Sequence, residues 1–308
     1  MGLATREAYG KALLQLGATN NNVIVLDADL SKSTKTGDFA ATYNDRFINV
    51  GIAEQNLMGI AAGLANYGKI PFASTFAVFA TGRAFEIIRN SICYPNLNVK
   101  IAATHAGISV GEDGGSHQSV EDIALMTALP NMAVIVPADA RETKEVIKYA
   151  ATHTGPVYIR LGRLAALDLF DEAYTYEYGK AVEITAGEDV AIMATGLMTA
   201  QAKIAAKTLK DDGINARVIH IPTIKPIDRD MIERAAKETK FIVTCEEHSV
   251  IGGLGSTVAS VVTETHPTKV IKIGINDVFG ESGTPAELLE KYGMTAENIV
   301  KVVKENFN

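Results

Sequence analysis

Short apolar runs alternate with longer amphipathic stretches along the first half of the chain. Runs rich in valine and isoleucine predict strands at residues 23–29, 46–51, 98–104, 132–138 and 156–162. Helical patterns are predicted around them, at residues 4–17, 53–67, 80–92, 120–129 and 140–152. Strands that alternate with helices favour a mostly parallel sheet covered on both faces. Ligands of such folds bind at the carboxyl ends of the strands.

The second half shows the same rhythm. Strands are predicted at residues 189–195, 216–222, 240–247 and 269–275, and helices at residues 197–211, 228–238, 254–265, 285–292 and 296–306. Residues 164–188 fit neither pattern, and we expect a connector that is partly extended. The fold class predicted is therefore α/β, with two doubly wound domains: residues 1–163 and a smaller domain at residues 189–308.

Composition narrows the functional classes. The 308 residues carry a net charge of −7 and no run of lysine or arginine, which argues against a nucleic-acid partner. Cys93 and Cys245 each lie in an apolar stretch, as expected of reduced, buried thiols in a cytoplasmic protein. The first residues show no cleavable signal, and polar residues interrupt the longest apolar region, so no membrane span is expected.

Two glycine-rich motifs carry weak signals. Residues 63–70 nearly spell a phosphate-binding P-loop but lack its final Ser or Thr, and a helix precedes them. Gly68 is better interpreted as a helix C-cap, with Lys69 in a turn. Residues 252–256 open a predicted helix, where an anion could bind the helix N-terminus. Glycines that permit close packing explain that motif equally well.

Glu54 stands alone among apolar neighbours in the stretch NVGIAEQNLMGIAAGLA at residues 49–65. It follows a predicted strand and lies in the first turn of a predicted helix. An acid at that position is favoured by the helix dipole alone. The apolar flanks and the strand's carboxyl end make a functional carboxyl group an equally good interpretation.

Phe76 and Phe79 lie three residues apart in STFAVFATGRAFEIIRN, at a predicted helix start. That spacing places both rings on one helix face. Core packing is the default interpretation, and an aromatic wall of a ligand pocket is the alternative.

The glycine-rich stretch HAGISVGEDGGSHQ, at residues 105–118, follows a predicted strand and contains His105, Asp113 and His117. The spacing of these residues matches no metal site, so none is expected. Its glycines would let the backbone approach a ligand closely. Imidazoles beside a carboxylate can exchange protons or bind hydroxyl and phosphate groups, so we expect a site for a sugar-like substrate.

Together these stretches resemble transketolase, in the family's order and at about its spacing. The resemblance covers nearly the whole chain but only part of a full-length transketolase: the pyrimidine-binding domain and the C-terminal domain. The combination of GIAEQ with GEDGGSHQ is specific, whereas neither motif alone would be.

The resemblance implies a role for each matching residue. Glu54 corresponds to the glutamate that binds N1′ of the aminopyrimidine of thiamine diphosphate. Phe76 and Phe79 would line the pocket of that ring, and Asp29 would lie beside the thiazolium and the substrate. The other matches fall into two groups: around the sugar hydroxyls, His105, Asp113 and His117; and at the sugar phosphate, Arg6, Ser33 and Arg163.

The sequence departs from the family pattern at three places. Gly82 stands where a tyrosine is common, and Gln55 stands where a histidine usually follows the glutamate. GGSHQ replaces a segment that usually contains proline and threonine. The shape of the pocket and the preferred sugar are therefore left open.

The implied reaction moves a two-carbon ketol unit from a ketose phosphate to an aldose phosphate. Its cofactors would be thiamine diphosphate and Mg²⁺. Glu54 would share a proton with the cofactor ring, and His105 or His117 would take a proton from a sugar hydroxyl. Asp113 would select sugars by accepting a hydroxyl group.

A separate partner is implied as well. The family holds the cofactor's diphosphate and Mg²⁺ with a Gly-Asp-Gly motif and a later asparagine, and Gly-Asp-Gly does not occur here. We therefore expect an N-terminal subunit on another chain, an α2β2 assembly and no activity from this chain alone.

Two rival interpretations remain open. The chain could be half of another thiamine-diphosphate enzyme, such as a deoxyxylulose-phosphate synthase-like protein or the β subunit of a 2-oxo-acid dehydrogenase. It could also be a subunit kept for assembly, with no catalytic role.

Overall fold

The computed structural model describes residues 2–307. Its strands are β1 Val23–Asp27, β2 Phe47–Asn49, β3 Ile70–Phe76, β4 Lys100–Thr104, β5 Ala133–Ile135, β6 Val157–Arg160, β7 Val182–Thr185, β8 Val190–Ala194, β9 Ala216–His220, β10 Thr223–Lys225, β11 Ile242–Ser249 and β12 Val270–Ile275.

Its α-helices are α1 Thr5–Thr19, α2 Ser31–Thr34, α3 Gly37–Thr42, α4 Glu54–Asn66, α5 Phe85–Ile87, α6 Asp122–Thr127, α7 Ala140–Thr152, α8 Met198–Asp211, α9 Arg229–Glu238, α10 Leu254–Glu264, α11 Pro285–Lys291 and α12 Ala296–Phe307. Short 3-10 turns occur at Asn44–Arg46 and Ile108–Val110, and π-helical turns at Phe79–Arg83 and Ile88–Cys93.

The larger sheet has seven strands in the order β10-β5-β6-β4-β3-β1-β2. All neighbours run parallel except β10, which pairs antiparallel with β5. Every residue of β1, β4 and β6 is buried, as expected for strands covered on both faces. The predicted parallel α/β class is confirmed, and the carboxyl ends of six strands share one edge.

The smaller sheet has five strands in the order β12-β11-β8-β9-β7. Only β7 runs antiparallel to its neighbour. β7 lies in the predicted connector, which is extended at that point. β10 belongs to the larger sheet although it lies between β9 and α9 along the chain, so residues from the second half complete the first sheet.

Helix α4 shows how the sequence places a site residue. Its buried face is Leu57, Met58 and Ala61, which pack into the core under the larger sheet. The helix ends at Asn66, and Gly68 follows with a φ of +77°. The helix end predicted at Gly68 is displaced by one residue: Tyr67 is the C-cap, and Gly68 follows it in the left-handed conformation that favours glycine.

Some local predictions were wrong. β3 was not predicted, because its buried, proline-containing sequence continues the apolar stretch of α4 without a change of pattern. The helix predicted at residues 80–92 exists, but as two π-helical turns joined by α5. β10, α2 and α3 were also missed, and each has only a few residues.

Cys93 and Cys245 are buried and unbonded. Within residues 2–307, no helix is both long enough and apolar enough to cross a membrane.

Candidate active site at the carboxyl edge of the larger sheet

The carboxyl ends of neighbouring strands bring the predicted site residues to one edge. Phe76 is the last residue of β3, and His105 directly follows β4. Arg163 follows β6, Glu54 begins the helix after β2, and Asp29 follows β1. This edge is where open α/β sheets bind ligands.

An aromatic cluster forms the centre of the site. The Phe76 ring stacks on the His105 imidazole, with centroids 3.8 Å apart, and on the Phe79 ring at 5.8 Å. The His117 imidazole meets Phe79 edge-on at 5.3 Å. The shared helix face predicted for the two phenylalanines was wrong, because Phe76 ends a strand and only Phe79 is helical. Their rings nevertheless stack across the turn.

Arg6 joins the cluster from the first helix. Its Nη1 donates to the Ser33 carbonyl oxygen at 2.9 Å and lies 3.2 Å from Nε2 of His105. Within residues 2–307, its buried Nε has no hydrogen-bond partner. A guanidinium with unused donors beside an imidazole is suited to bind an anion such as a phosphate.

His105 is buried and neutral. Burial first, and then the charges of Arg6 and Arg163, lower the pKa of His105 to about 3. Its Nδ1 pairs with Thr104 Oγ1 at 2.8 Å. Its φ of +58° is unusual for a residue with a side chain, and such strain concentrates at functional sites.

Arg163 contacts the glycine-rich loop from the end of β6. Its Nη1 donates to the Val110 carbonyl oxygen and lies 3.3 Å from Glu112 and 3.9 Å from Asp113. Asp113 is exposed beside Arg163, so its carboxylate is accessible to a ligand hydroxyl. Ser116 Oγ contacts His117 Nδ1 at 2.9 Å and orients that ring.

Glu54 has a partner that the sequence did not reveal. Arg83 Nη1 donates to Glu54 Oε1 at 2.9 Å, and the Arg83 guanidinium lies 4.1 Å from the centroid of Phe79. The Glu54 side chain is 6% exposed, whereas that of Arg83 is 53% exposed. Arg83 therefore stands at the mouth of the site. Its position depends on the π-helical turn, which has no sequence signature here.

Asp27 is a second residue that the prediction missed. Its carboxylate accepts hydrogen bonds from Leu30 N at 2.6 Å and from the hydroxyls of Thr34 and Thr36. Burial raises the pKa of Asp27, and these bonds oppose the rise. Asp27 therefore shapes the turn that presents Ser33. The serines and threonines downstream of two acids were the available signal.

Asp29 lies apart from the cluster. It is exposed, and its Oδ1 accepts from Asn49 Nδ2 at 3.0 Å. Its φ of +65° resembles that of His105. Direct contacts join Arg6, Phe76, Phe79, His105 and His117. Glu54 reaches Phe79 through Arg83, Arg163 pairs with Asp113, and Asp29 is joined to the end of β2.

The glycines of the 105–119 loop have a different use from the one predicted. A Cβ on Gly107 would lie 2.3 Å from the Glu247 carboxyl group, and one on Gly114 would lie 2.6 Å from Ser282 Oγ. One on Gly115 would lie 2.6 Å from the Gly280 carbonyl oxygen. The missing side chains therefore admit the second half of the chain, rather than a ligand.

The motif at residues 252–256 packs internally as well. Both Glu246 carboxylate oxygens accept from the start of α10, at 2.7 Å from Leu254 N and 2.8 Å from Gly255 N. A Cβ on Gly253 would lie 2.0 Å from Glu246 Oε2. The close-packing interpretation is therefore confirmed. Among residues 2–307, no three His, Cys, Asp or Glu side chains are grouped as metal ligands.

Comparison with known proteins adds a family context. A family model described as transketolase, pyrimidine binding domain, matches residues 1–166, and one described as transketolase, C-terminal domain, matches residues 179–299. A Methanocaldococcus jannaschii protein described as a putative transketolase C-terminal section is 52% identical over 303 residues, which are 97% of this chain and 95% of that protein.

Longer and experimentally solved relatives agree. Human transketolase is 37% identical over 306 residues, which are 98% of this chain but 49% of the human protein. A solved structure described as a split gene transketolase, inactive beta4 tetramer, is 58% identical and superposes with a TM-score of 0.91 over 100% of this chain and 99% of that one.

Proposed function

This chain belongs to the transketolase family, and we propose that it is the C-terminal subunit of a two-chain transketolase. The assembly would transfer a two-carbon ketol unit from a ketose phosphate to an aldose phosphate in the cytoplasm. One observation carries the proposal. A continuous set of contacts runs along one sheet edge, from Glu54 through Arg83, Phe79 and Phe76 to His105 and Arg6. His117 meets Phe79 edge-on beside it.

The residues present fit the pyrimidine ring of thiamine diphosphate. In the free chain, Arg83 places a flat cation on the face of Phe79 and an N–H donor on Glu54. An aminopyrimidine protonated at N1′ would offer the same two features: a planar ring and an N–H donor to the carboxyl group. Arg83 would swing aside on binding, which its exposure permits. Glu54 would then hold the proton at N1′.

When bound, thiamine diphosphate would supply a carbon nucleophile for the ketose carbonyl and a carrier for the two-carbon unit between half-reactions. The chain's own residues bind and orient the sugar. Arg6 and Arg163 would hold the phosphate, with the Ser33 turn beside it. Asp113 would accept a sugar hydroxyl, and an analogue lacking that hydroxyl would leave the carboxylate unpaired.

The proton roles of the two histidines divide by environment. His105, with a pKa of about 3, is a weak base near neutral pH, so we assign it to hydrogen bonding with the sugar. His117 is only partly buried and faces Phe79 across the site. We therefore assign to His117 the acceptance of the proton from the sugar's C3 hydroxyl.

A partner chain would supply the rest of the site. The names of two relatives, a C-terminal section and a split gene product, support a separate N-terminal subunit. That subunit would hold the diphosphate and Mg²⁺, and the assembly would be α2β2. Glu54 opens to a surface depression lined by Ala53, Gln55, Asn56 and Arg83, where the second chain can close the pocket.

The test is ketol transfer from xylulose 5-phosphate to ribose 5-phosphate, with thiamine diphosphate and Mg²⁺ present. This chain is assayed alone, with the N-terminal subunit, and as a complex carrying Glu54→Gln. Sedoheptulose 7-phosphate from the wild-type complex only is the expected result. Product from the chain alone would contradict the shared site.

Two other outcomes would contradict the proposal in different ways. Pyruvate decarboxylation without ketose exchange, in a complex that binds cofactor, would favour the oxo-acid or deoxyxylulose-phosphate enzymes. A stable complex that neither binds thiamine diphosphate nor turns over any donor would favour an assembly subunit.

A further inference from the structure

The 105–119 loop has little support from its own sheet. Its base is tied by Ala106 N to the Leu161 carbonyl oxygen at 3.3 Å and by Gly107 N to that of Ser119 at 2.8 Å. At its tip, Glu112 and Asp113 are exposed, and Arg163 is the contact from the larger sheet. The tip therefore depends on contacts from elsewhere.

Those contacts come from the second half of the chain. Glu247 Oε1 accepts from Ser109 N at 2.6 Å, and Ser249 N donates to the Val120 carbonyl oxygen at 2.7 Å. Pro285 packs against Gly111, where an added Cβ would lie 3.1 Å from the proline ring. The segment 276–284 covers the tip itself, through Gly280 and Ser282.

Gln118 makes the central tie. Its Nε2 lies 2.9 Å from the Glu281 carbonyl oxygen, 3.2 Å from that of Gly111 and 3.3 Å from that of Ile108. It therefore joins both ends of the loop to the 276–284 segment. The side chain is 3% exposed, and it is the direct neighbour of His117.

The chemistry of Gln118 argues against simple space filling. Its Oε1 is buried and has no partner among the described residues. An unpaired buried acceptor is unfavourable, so the need to fill space does not by itself explain an amide at this position. The amide instead fixes the orientation of the side chain, because its NH₂ group is directed at three carbonyl oxygens on two separate segments.

We propose that Gln118 is a positioning residue, through which the 276–284 segment of the C-terminal half sets the place of His117 for the sugar. This inference rests on the proposed function and gives the C-terminal half a role in it. Gln118 itself touches no reacting atom. Misplacement of a catalytic group by about 1 Å can lower a rate by as much as about 100-fold. Hydrogen bonds that fix the position of His117 from a distance can therefore affect the rate.

Gly280→Ala tests the contact between Gln118 and the 276–284 segment by changing that segment. A Cβ at position 280 would lie 1.7 Å from Gln118 Oε1, so the amide must leave its place. Gly280 has no left-handed φ, so alanine adds no backbone strain there. Asn276→Ala is the matched control, because that side chain is exposed in the same segment.

In the assembled enzyme, Gly280→Ala should lower kcat/KM for the ketose phosphate by about 10-fold, while the cofactor Kd stays within about twofold. Gln118→Ala should have a similar effect. In the Gln118→Ala background, Gly280→Ala should cost nothing further, because the side chain that it displaces is already gone. Additive effects of the two substitutions would overturn the proposal.

Hydrogen exchange on the free chain separates this inference from the proposed function. His117 N and Gln118 N donate to the Gly114 carbonyl oxygen at 2.9 and 3.1 Å. Gly280→Ala should speed exchange at both amides, and Asn276→Ala should not. Unchanged exchange would show that the 276–284 segment does not hold the loop through Gln118, whatever the activity of the assembled enzyme. Faster exchange with unchanged ketose kinetics would show that the contact holds the loop but does not affect catalysis. An inactive wild-type complex would instead refute the proposed function.

Discussion

The two sheets present similar residues at their carboxyl edges and use them differently. The edge of the larger sheet carries Glu54, His105 and Asp29, and β11 of the smaller sheet carries Glu246, Glu247 and His248 just before its last residue. At the smaller sheet, the carboxylates accept backbone N–H groups from α10 and from the 105–119 loop. These acids are therefore already satisfied inside the chain.

The first half of the chain fills the crevice of the smaller sheet. That crevice lies between β8 and β11, where the strand order reverses and open sheets usually bind ligands. Ser109 of the loop and Leu197 after β8 meet there, beside Glu247 and Arg160. The cavity that remains is about 30 Å³, which suits water but not a substrate.

Residue type at a strand end therefore does not distinguish a site from a junction. The difference lies in unused hydrogen-bonding capacity and in access. At the larger sheet, Asp113 is exposed and Arg6 retains an unpaired Nε. At the smaller sheet, Glu246 and His248 are fully buried. Substitutions at the first edge should change activity, and those at the junction should change stability.

The largest effect is expected at the junction. Arg160 Nε and Nη2 bind the two Asp122 oxygens at 2.8 and 3.1 Å, and Nη2 also donates to the Glu247 carbonyl oxygen at 2.9 Å. Arg160→Met leaves the Asp122 carboxylate buried and without its cation. The free energy of unfolding should fall by about 3–5 kcal/mol, measured by urea denaturation.

Arg229→Met is the control for that loss, because Arg229 pairs with Glu264 on the surface. Its cost should be at most about 1 kcal/mol. Equal losses from the two substitutions would contradict the distinction between a buried junction and a solvated pair.

The next effect belongs to the open edge. Glu54→Gln in the assembled enzyme should lower kcat by about 100-fold or more, because the acid–base partner of the cofactor ring is lost. Folding should stay nearly intact. Glu297→Gln is the matched control: Glu297 also lies in a first helical turn, but it is exposed. If both variants keep full turnover, Glu54 has only its helix-dipole role.

The sequence predicts the helices and strands that have a strong hydrophobic pattern. It misses the elements that form only by pairing with residues distant along the chain. β1, β4 and β6 are continuous apolar runs because both faces are covered, and they were predicted. β10 has three residues, and its identity as a strand depends on pairing with β5, far away along the chain. No local pattern of residues encodes such a pairing.

The candidate site was predictable to a similar degree. Strand ends and local motifs indicate His105, His117 and Glu54, and the edge geometry brings them together. Arg83 could not be predicted, because its contact with Glu54 requires the π-helical turn. The glycines of the 105–119 loop were misinterpreted, since only the folded chain shows that the second half packs on them.

His117→Ala should have an effect no larger than that of Glu54→Gln. In the assembled enzyme, kcat/KM for the ketose phosphate should fall by roughly 100-fold, the low end of the cost of losing a positioned proton acceptor. The cofactor Kd, measured by titration, should not change. His266→Ala is the control, since His266 is exposed outside the site. A variant that loses cofactor alone would contradict the placement of His117.

Counted per pH unit, the smallest effects are slopes of stability against pH, and they have opposite signs at the two edges. Burial and nearby arginines lower the pKa of His105 to about 3, so between pH 3 and 6.5 the unfolded chain binds more protons and stability rises with pH. Burial raises the pKa of Glu246 to about 7, so between pH 4.5 and 7 the folded chain binds more protons and stability falls with pH.

Urea denaturation of His105→Gln and Glu246→Gln across this pH range measures each contribution as a difference from the wild-type slope. His105→Gln should remove a positive slope and Glu246→Gln a negative one, each of at most about 1.4 kcal/mol per pH unit. The sign is the informative quantity, because a lost contact shifts the whole curve without changing its slope. Slopes of the same sign would mean that either His105 or Glu246 is not buried as the fold requires.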